Sequence, residues 1–410
     1  MQSFEKIENW RLTDKSILVL GDCLEAMRLM PDNSVDSIVT DPPYGISFLS
    51  ERWDIDVPRV EIWEEAFRVL KPGGHLLAFA GTRTQHRMAT RIEDAGFNIR
   101  DMIAWAYSSG MPKSLDVSKA MDKQRHNRKD ILKVTTWMKQ ARIEAGLTNR
   151  DIDNAFGTNG MAGHWTTQGS QPAIPPSEYI EPLLAMLGYS EKPVPEDIRK
   201  LIEDENGNRG EKNQAWEKRE VVGQAIANVT AGGGLAMPGQ GKGKHRIDIT
   251  AAHTEDAQKW VGWGTAIKPA MEPITVARKP FVGTVVDNVR EYGTAAFNID
   301  AGRHSGGKYP SNVLTDGSGF FGKAERFFYS PKITPADRGE GNTHPTVKPT
   351  ALMEYLVRLV TPPGGTVLDP FTGSGSTGKA AERAGFKFVG AELCPNFYGI
   401  AAGRIAGACV

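Results

Sequence analysis

The sequence predicts an α/β fold in which a doubly wound, mainly parallel sheet is built from both ends of the chain and a mainly helical segment is inserted between them. Three observations lead there. Over residues 16–107, short runs rich in β-branched residues alternate with amphipathic stretches, the pattern of strands joined by crossover helices. Near the carboxyl end, a strand-like run closing on Asp369 opens a glycine-rich loop, then a helical stretch and another strand, which is the first βαβ unit of a nucleotide-type fold. Such a unit cannot cover both of its faces by itself, so the remaining strands must come from the amino-terminal region.

Taken in order, strands are expected at 16–20, 34–40, 75–81 and 98–107. The amphipathic stretch 60–70 is read as a helix ended by Lys71-Pro72-Gly73-Gly74, and a further helix over 84–95 stops at Gly96. From about Asp130 to about Glu205 the pattern is helical without strands, and a polar, glycine-rich tract follows that includes 231–244 and reads as a mobile loop. A second α/β region opens near Trp260, with a strand over 274–278, loops, a helix over 350–359, a strand over 366–369, a helix over 377–384, a strand over 387–392 and a last helix. The expected division is 1–124, 125–205, 206–259 and 260–410, with the first and last parts completing one domain.

Composition narrows the classes. Lysine plus arginine, 49, equals aspartate plus glutamate, 49, so net charge does not point to nucleic acid. Local clusters do, at Lys113, Lys119, Lys123, Arg125, Arg128, Lys129 and Lys133, and at Lys242, Lys244 and Arg246, although a solvated surface accounts for both equally well. Three cysteines without CxxC spacing argue against a disulfide framework and against zinc, and no metal site is expected. The start lacks the apolar core of a signal peptide, and no run reaches the roughly 18 to 20 apolar residues of a membrane span. A soluble, cytoplasmic protein is expected.

The chemistry concentrates in two strings. Asp41-Pro42-Pro43-Tyr44 follows the run SVDSIVT, which puts it at the carboxyl edge of the sheet, where doubly wound folds keep their sites. Its prolines stiffen the backbone and remove N–H groups, leaving the Asp41 carboxylate and the Pro42 carbonyl as acceptors without competing donors beside them. Such a pair suits an exocyclic base amine, a poor nucleophile because its lone pair is delocalised into the ring. Acceptors on its hydrogens favour a more tetrahedral nitrogen, and in-line positioning against a methyl sulfonium supplies much of the rest. Tyr44 offers a ring face to a base swung out of a duplex. The plainer alternative is a proline-stiffened turn.

The second string, Asp369-Pro370-Phe371-Thr372-Gly373-Ser374-Gly375-Ser376-Thr377-Gly378, satisfies G-x-G-x-x-G, with Glu392 at the end of the next strand where a ribose-binding acid sits. Alone, it is a dinucleotide fingerprint and supports an NAD-dependent oxidoreductase. The same features serve S-adenosylmethionine, because glycines admit a ligand to the backbone and the acid accepts from ribose hydroxyls. Asp41-Pro42-Pro43-Tyr44 has no role in hydride transfer, and the later strands of a dehydrogenase do not follow Glu392.

Together these residues resemble the β-class, circularly permuted amino-methyltransferases of DNA, in which a DPPY-type signature precedes FxGxG. GDCLEAM at 21–27, RVLKPGG at 68–74, HPTVKP at 344–349, VLDPFTGSGSTGKAA at 367–381 and FVGAE at 388–392 extend the resemblance over 16–124 and 260–406. It implies a Rossmann-like, S-adenosylmethionine-dependent methyltransferase fold, with S-adenosyl-L-methionine as cofactor and double-stranded DNA as substrate. By it, Asp41, Pro42, Pro43 and Tyr44 are the catalytic set. Asp22 would reach the cofactor's adenine, Glu392 its ribose, and Phe371, Gly373 and Gly375 its methionine end, flanked by Thr346. Asp369, Pro370, Ser374 and Leu393 count in the same cofactor-binding set. Each has a plainer reading, Asp22 as a helix N-cap, Phe371 as core, His344 and Lys348 as loop residues. Ser376 stands where the family more often has threonine, and keeps the hydroxyl. Aspartate rather than serine at position 41 favours adenine N6 over cytosine N4.

Residues 134–188 resemble a lambda-repressor/Cro-type helix-turn-helix, a target-recognition insertion in which Thr148 caps the second helix, Gly157 makes the turn and a helix around 159–165 is presented to the major groove. Asn159 and His164 are its candidate DNA contacts, and Trp137, Ile143, Ile152, Phe156 and Leu184 its core; a bundle that only packs on the catalytic part is the alternative. Residues 108–114 resemble a family loop near the target base, with Lys113 as a phosphate contact, and 263–280, with Lys268, Glu272 and Arg278, is similar too but receives no chemistry. The rival classes are a DNA-binding regulator built on the central helices and the oxidoreductase. A homodimer, and a cognate restriction enzyme as a functional rather than a physical partner, are left open.

Overall fold

The computed structural model describes residues 12–46, 52–107, 114–123, 128–169, 171–207, 219–228, 244–303, 307, 309–317, 319, 322, 328–329, 335–339 and 341–408. They fall into two units, Met1–Gly110 with Pro269–Val410, and Met111–Lys268. The strands in chain order are β1 (Ser16–Leu20), β2 (Val35–Thr40), β3 (Leu70–Phe79), β4 (Asn98–Ala106), β5 (Val221–Asn228), β6 (Lys244–Thr250), β7 (Met271–Arg278), β8 (Val313–Thr315), β9 (Thr366–Asp369) and β10 (Lys387–Glu392).

In the first unit eight of these strands form one sheet, in the order β1-β10-β9-β2-β3-β7-β4-β8. Both chain ends contribute, as expected: β1 pairs in parallel with β10 from Ser16↔Phe388 to Leu20↔Glu392, and β2 lies between β9 and β3. Only β7 runs against its neighbours, so its amino end lies at the edge where the others finish, with Ala106↔Met271 and Trp105↔Glu272 paired there. The central strands read as near-continuous apolar runs because both faces are covered. Alternate residues supply two cores: Leu18, Val39, Leu77, Phe79, Val367 and Phe388 face one, and Ile38, Leu76, Ala78, Leu368 and Val389 the other. Helices Thr350–Val360, Ser376–Ala384 and Pro395–Ala406 contribute to the first, and Val60–Val69 and Gln85–Asp94 to the second. Each fully buried Leu, Ile, Val or Phe contributes roughly 1.5–3 kcal/mol. From β9 the chain steps outward to β10, on whose far side β1 pairs, and from β2 it steps the other way to β3, so the direction of winding reverses between β9 and β2.

One expectation about the sheet needs correction. Lys71-Pro72-Gly73-Gly74 does not separate helix from strand: β3 begins at Leu70, and the tetrapeptide forms a bulge opposite the short step from Val35 to Ser37. Gly73 makes this feasible, at φ +73° and with no room for a Cβ beside the Asn288 amide.

In the second unit, the tract expected to be a connection carries an antiparallel hairpin of β5 and β6 and a short helix, Glu255–Lys259. Arg219 forms a buried ion pair with Asp122, whose carboxylate also accepts from the Thr254 hydroxyl at 2.7 Å and the His253 N–H at 3.0 Å. Residues 231–243 of the glycine-rich stretch, Lys242 among them, lie outside the described residues, as do Lys113 and Arg125. Of the other basic residues, Lys119 pairs with Asp116 and Lys133 with Asp197. Helices Arg128–Glu144, Asn149–Phe156, Met161–Trp165, Ser177–Met186 and Glu196–Gly207 enclose a core of Ile131, Val134, Met138, Ile152, Trp165, Leu183 and Leu184. Thr148 makes a capping box with Asp151, and Gly157 ends that helix at φ +63°. Ile143, expected in the core, is 53% exposed; the buried stripe of its helix is instead Ile131, Val134, Met138 and Ala141. Trp137 and Phe156 pack on the core's margin.

Candidate active site

The strand ends on either side of the reversal, β2 and β9, carry the two strings. Thr40, fully buried, donates its hydroxyl to Asp369 Oδ1 at 2.6 Å and so ties one strand end to the other. Beyond it, Asp41 Oδ1 accepts from the Tyr44 hydroxyl at 2.7 Å and Asp41 Oδ2 from Lys348 Nζ at 2.5 Å. Glu272 reaches the same group from the start of β7, 2.9 Å from Tyr44 Oη and 3.2 Å from Lys348 Nζ. Burial, reinforced by Asp41 and Glu272, pushes the Tyr44 phenol well above its usual value, so it stays neutral. The exit of the loop is gripped by Asp54, 1% exposed, which accepts from the N–H groups of Tyr44 at 2.6 Å and Gly45 at 2.8 Å. Thr84 donates to the Tyr44 carbonyl at 2.6 Å.

The loop after β9 is shaped mainly by backbone. Gly373 and Gly375 hold φ of +52° and +79°, where L side chains are strained. A Cβ on Gly375 would stand 2.9 Å from the Ala401 Cα, and one on Gly373 3.0 Å from His344 Nε2. Glu392 closes the loop's far side, taking the Gly373 N–H at 2.7 Å and the Cys394 N–H at 2.8 Å, and burial raises its carboxyl above the ordinary value. Arg404 bonds the Ser374 carbonyl, the Ser374 hydroxyl at 2.8 Å and the Asp337 carbonyl at 2.6 Å. Asp369 is an organiser of this loop: it accepts from Thr40 and from the Phe371 N–H at 3.1 Å, and burial pushes it up to about 6. His344 is buried and held down to about 4, so its ring is neutral and its Nδ1 can accept from the Thr346 N–H at 3.3 Å. Thr346 itself is exposed.

Asp22, Asp41, Tyr44, Phe371, Gly373, Gly375 and Glu392 thus gather at the carboxyl edge of adjoining strands, with Gly21 joined to Glu392 by an N–H···O bond of 2.9 Å. Asp22 is a helix N-cap, its Oδ1 accepting from Leu24 at 2.9 Å and Glu25 at 3.3 Å. Phe371 is partly buried beside Trp63, and Leu393 is 66% exposed. Asn159 and His164 lie in the other unit; Asn159 is exposed in the turn before the helix rather than on it, and His164 Nδ1 lies 2.9 Å from the Gln171 carbonyl. Sequence reasoning left Lys348 undecided and assigned Glu272, Asp54 and Arg404 nothing. The fold of the sheet brings Lys348 and Glu272 here from distant parts of the chain, whereas Asp54 lies only ten residues beyond Tyr44.

The family model of N6/N4-type DNA methylases matches this chain over residues 35–403. Type II methyltransferase M.HindIII of Haemophilus influenzae is 34% identical over 157 residues, 37% of this chain and 45% of that protein. Type II methyltransferase M.ScaI of Streptomyces caespitosus is 30% identical over 151 residues, 35% of this chain and 47% of that protein. The chain therefore spans less than half the length of these relatives. Among solved structures, the M1.HpyAVI–SAM complex aligns with 95% of this chain and 98% of its own at 16% identity and a TM-score of 0.40. The cytosine-N4-specific PvuII DNA methyltransferase aligns with 96% of this chain and 86% of its own at 15% identity and a TM-score of 0.43.

Proposed function

The chain belongs to the N6/N4 family of DNA methylases, and from that premise we propose that it transfers a methyl group from S-adenosyl-L-methionine to the N6 amine of an adenine flipped out of double-stranded DNA. The observation that carries the reading is the pairing, at the reversal of the sheet, of the Asp41-Pro42-Pro43-Tyr44 loop with the glycine loop at the end of the adjoining strand. When bound, the cofactor supplies an electrophilic methyl on a positively charged sulfur. Support for its place comes from the glycines that leave no room for a Cβ, from Glu392, whose carboxylate oxygens keep capacity for ribose hydroxyls, and from the apolar surface of Phe371 and the exposed Leu393. Asp41 and the Pro42 carbonyl would accept from the amine hydrogens, raising the nitrogen's nucleophilicity and stabilising the charge it gains. The order of the two strings along the chain supports the circularly permuted β class.

Asp41, where serine would favour cytosine, motivates adenine. For the second unit we propose target recognition by a helix-turn-helix, supported by the capped helix Asn149–Phe156 and the left-handed Gly157 that turns into Met161–Trp165. One experiment tests both: sequencing modified bases in DNA from cells overproducing the parent or an Asn159→Ala/His164→Ala variant. N6-methyladenine at a defined site, with the site preference relaxed in the variant, is expected. N4-methylcytosine alone ends the adenine reading, and identical sites and levels in the variant remove this turn from recognition.

A further inference from the structure

Lys348 is a lysine in an uncommon position, 6% exposed and set between carboxylates of β2's loop and β7. Its Nζ lies 2.5 Å from Asp41 Oδ2, 3.2 Å from Glu272 Oε2 and 3.2 Å from Tyr44 Oη, with the Phe79 ring centroid 4.8 Å away. An ammonium buried to this extent without counter-charge would shed its proton. Here burial does pull it down, but Asp41 and Glu272 outweigh burial and the lysine is held in its charged form. The Tyr44 hydroxyl stands within hydrogen-bond distance of both carboxylates and has a single hydrogen to give. Two carboxylates, those of Asp41 and Glu272, thus meet a single lysine, on the side from which a cationic reaction centre would be stabilised.

Resting on the reading that Asp41 accepts from the target amine, we propose that Lys348 is a positioning residue which keeps the Asp41 carboxylate ionised and turned for that amine, with Glu272 of β7 as the anchor of Lys348. A protonated Asp41 would offer a donor where the amine needs an acceptor. A cation bonded to Oδ2 opposes that protonation and leaves Oδ1, shared with the mobile hydrogen of Tyr44, as the edge presented to the base.

The test is Lys348→Met, which keeps the length and removes the charge, with single-turnover methyl transfer to duplex DNA followed against pH. The rate at neutral pH is expected to fall about 100-fold and the acid limb to move up by about one unit or more, because the carboxylate has lost its cation. Calorimetry with S-adenosylmethionine is expected to match the parent, and Lys348→Arg to bring the limb back. A Lys348→Met protein that binds cofactor normally and keeps the parent's acid limb overturns the proposal, since a lysine needed only for packing would scale the rate equally at every pH. Should that variant fail to bind cofactor, Glu272→Gln decides, because removing a negative neighbour should shift the limb the other way, to lower pH; an unmoved limb there overturns the proposal too. A parent that leaves DNA unmethylated ends the functional reading and this one together. A parent that methylates while the variants keep its limb ends this one alone.

Discussion

Asp41 and Asp369 close neighbouring strands, both precede a proline, and the two are handled in opposite ways. Asp41 meets a buried lysine and keeps part of its surface open, whereas Asp369 is 1% exposed and is met by hydroxyl and backbone donors. The first is equipped to present charge to a substrate. The second spends its acceptors on the shape of a loop, and burial lifts it to about 6. The same dipeptide at the same edge of one sheet thus serves as reagent in one place and as scaffold in the other, and the difference lies in which distant side chains arrive beside it.

The contrast is broken most directly at Asp41. Asp41→Ala is expected to lower methyl transfer on the order of 10³-fold while calorimetry shows unchanged cofactor affinity; comparable rates for variant and parent would remove Asp41 from the reagent role. The glycine loop should respond in binding instead. In Gly375→Ala the new Cβ would meet the backbone of Ala401 at 2.9 Å in a left-handed conformation, and cofactor affinity is expected to drop about tenfold or more. Gly385→Ala, with φ +83° and nothing within 4 Å, is the control: it should lower the melting temperature and leave that affinity alone. Equal affinities for the Gly375 variant and the parent would contradict the tight approach of loop and helix.

The last effect falls on stability and leaves the chemistry aside. Because the folded protein raises Asp369 to about 6 from an ordinary 3.8, it favours the protonated form. The stability this contributes is fully present below the unfolded value and is lost as pH rises through about 6. Asp369→Asn cannot ionise, so relative to the parent it should gain stability between pH 4.5 and 7.5, by about 2 kcal/mol at most. Urea unfolding at both pH values reads this as a widening gap, and parallel curves for the two proteins would refute it.

What could be read in advance follows the same division. Both strings were legible, because a glycine requirement and a proline-stiffened turn are written within a few adjacent residues. The strands Ser16–Leu20, Thr366–Asp369 and Lys387–Glu392 were legible as apolar runs bounded by turn residues. The start of β3 was not, since a proline and two glycines signal a break and a bulge equally well. Nor was the β5–β6 hairpin, whose strands flank a glycine-rich tract that dominates the local composition. Lys348 stands 307 residues from Asp41 and Glu272 stands 228 from Tyr44, and no periodicity or spacing connects positions so far apart.

The reversed strand has a consequence of its own for how such a protein can vary. Because β7 runs backward, Ala106 and Met271 face each other across a rung of the ladder although 164 residues separate them in the chain. Everything between departs and returns through a single doorway, and a module of any length can be fitted into it without one hydrogen bond of either strand being rewritten.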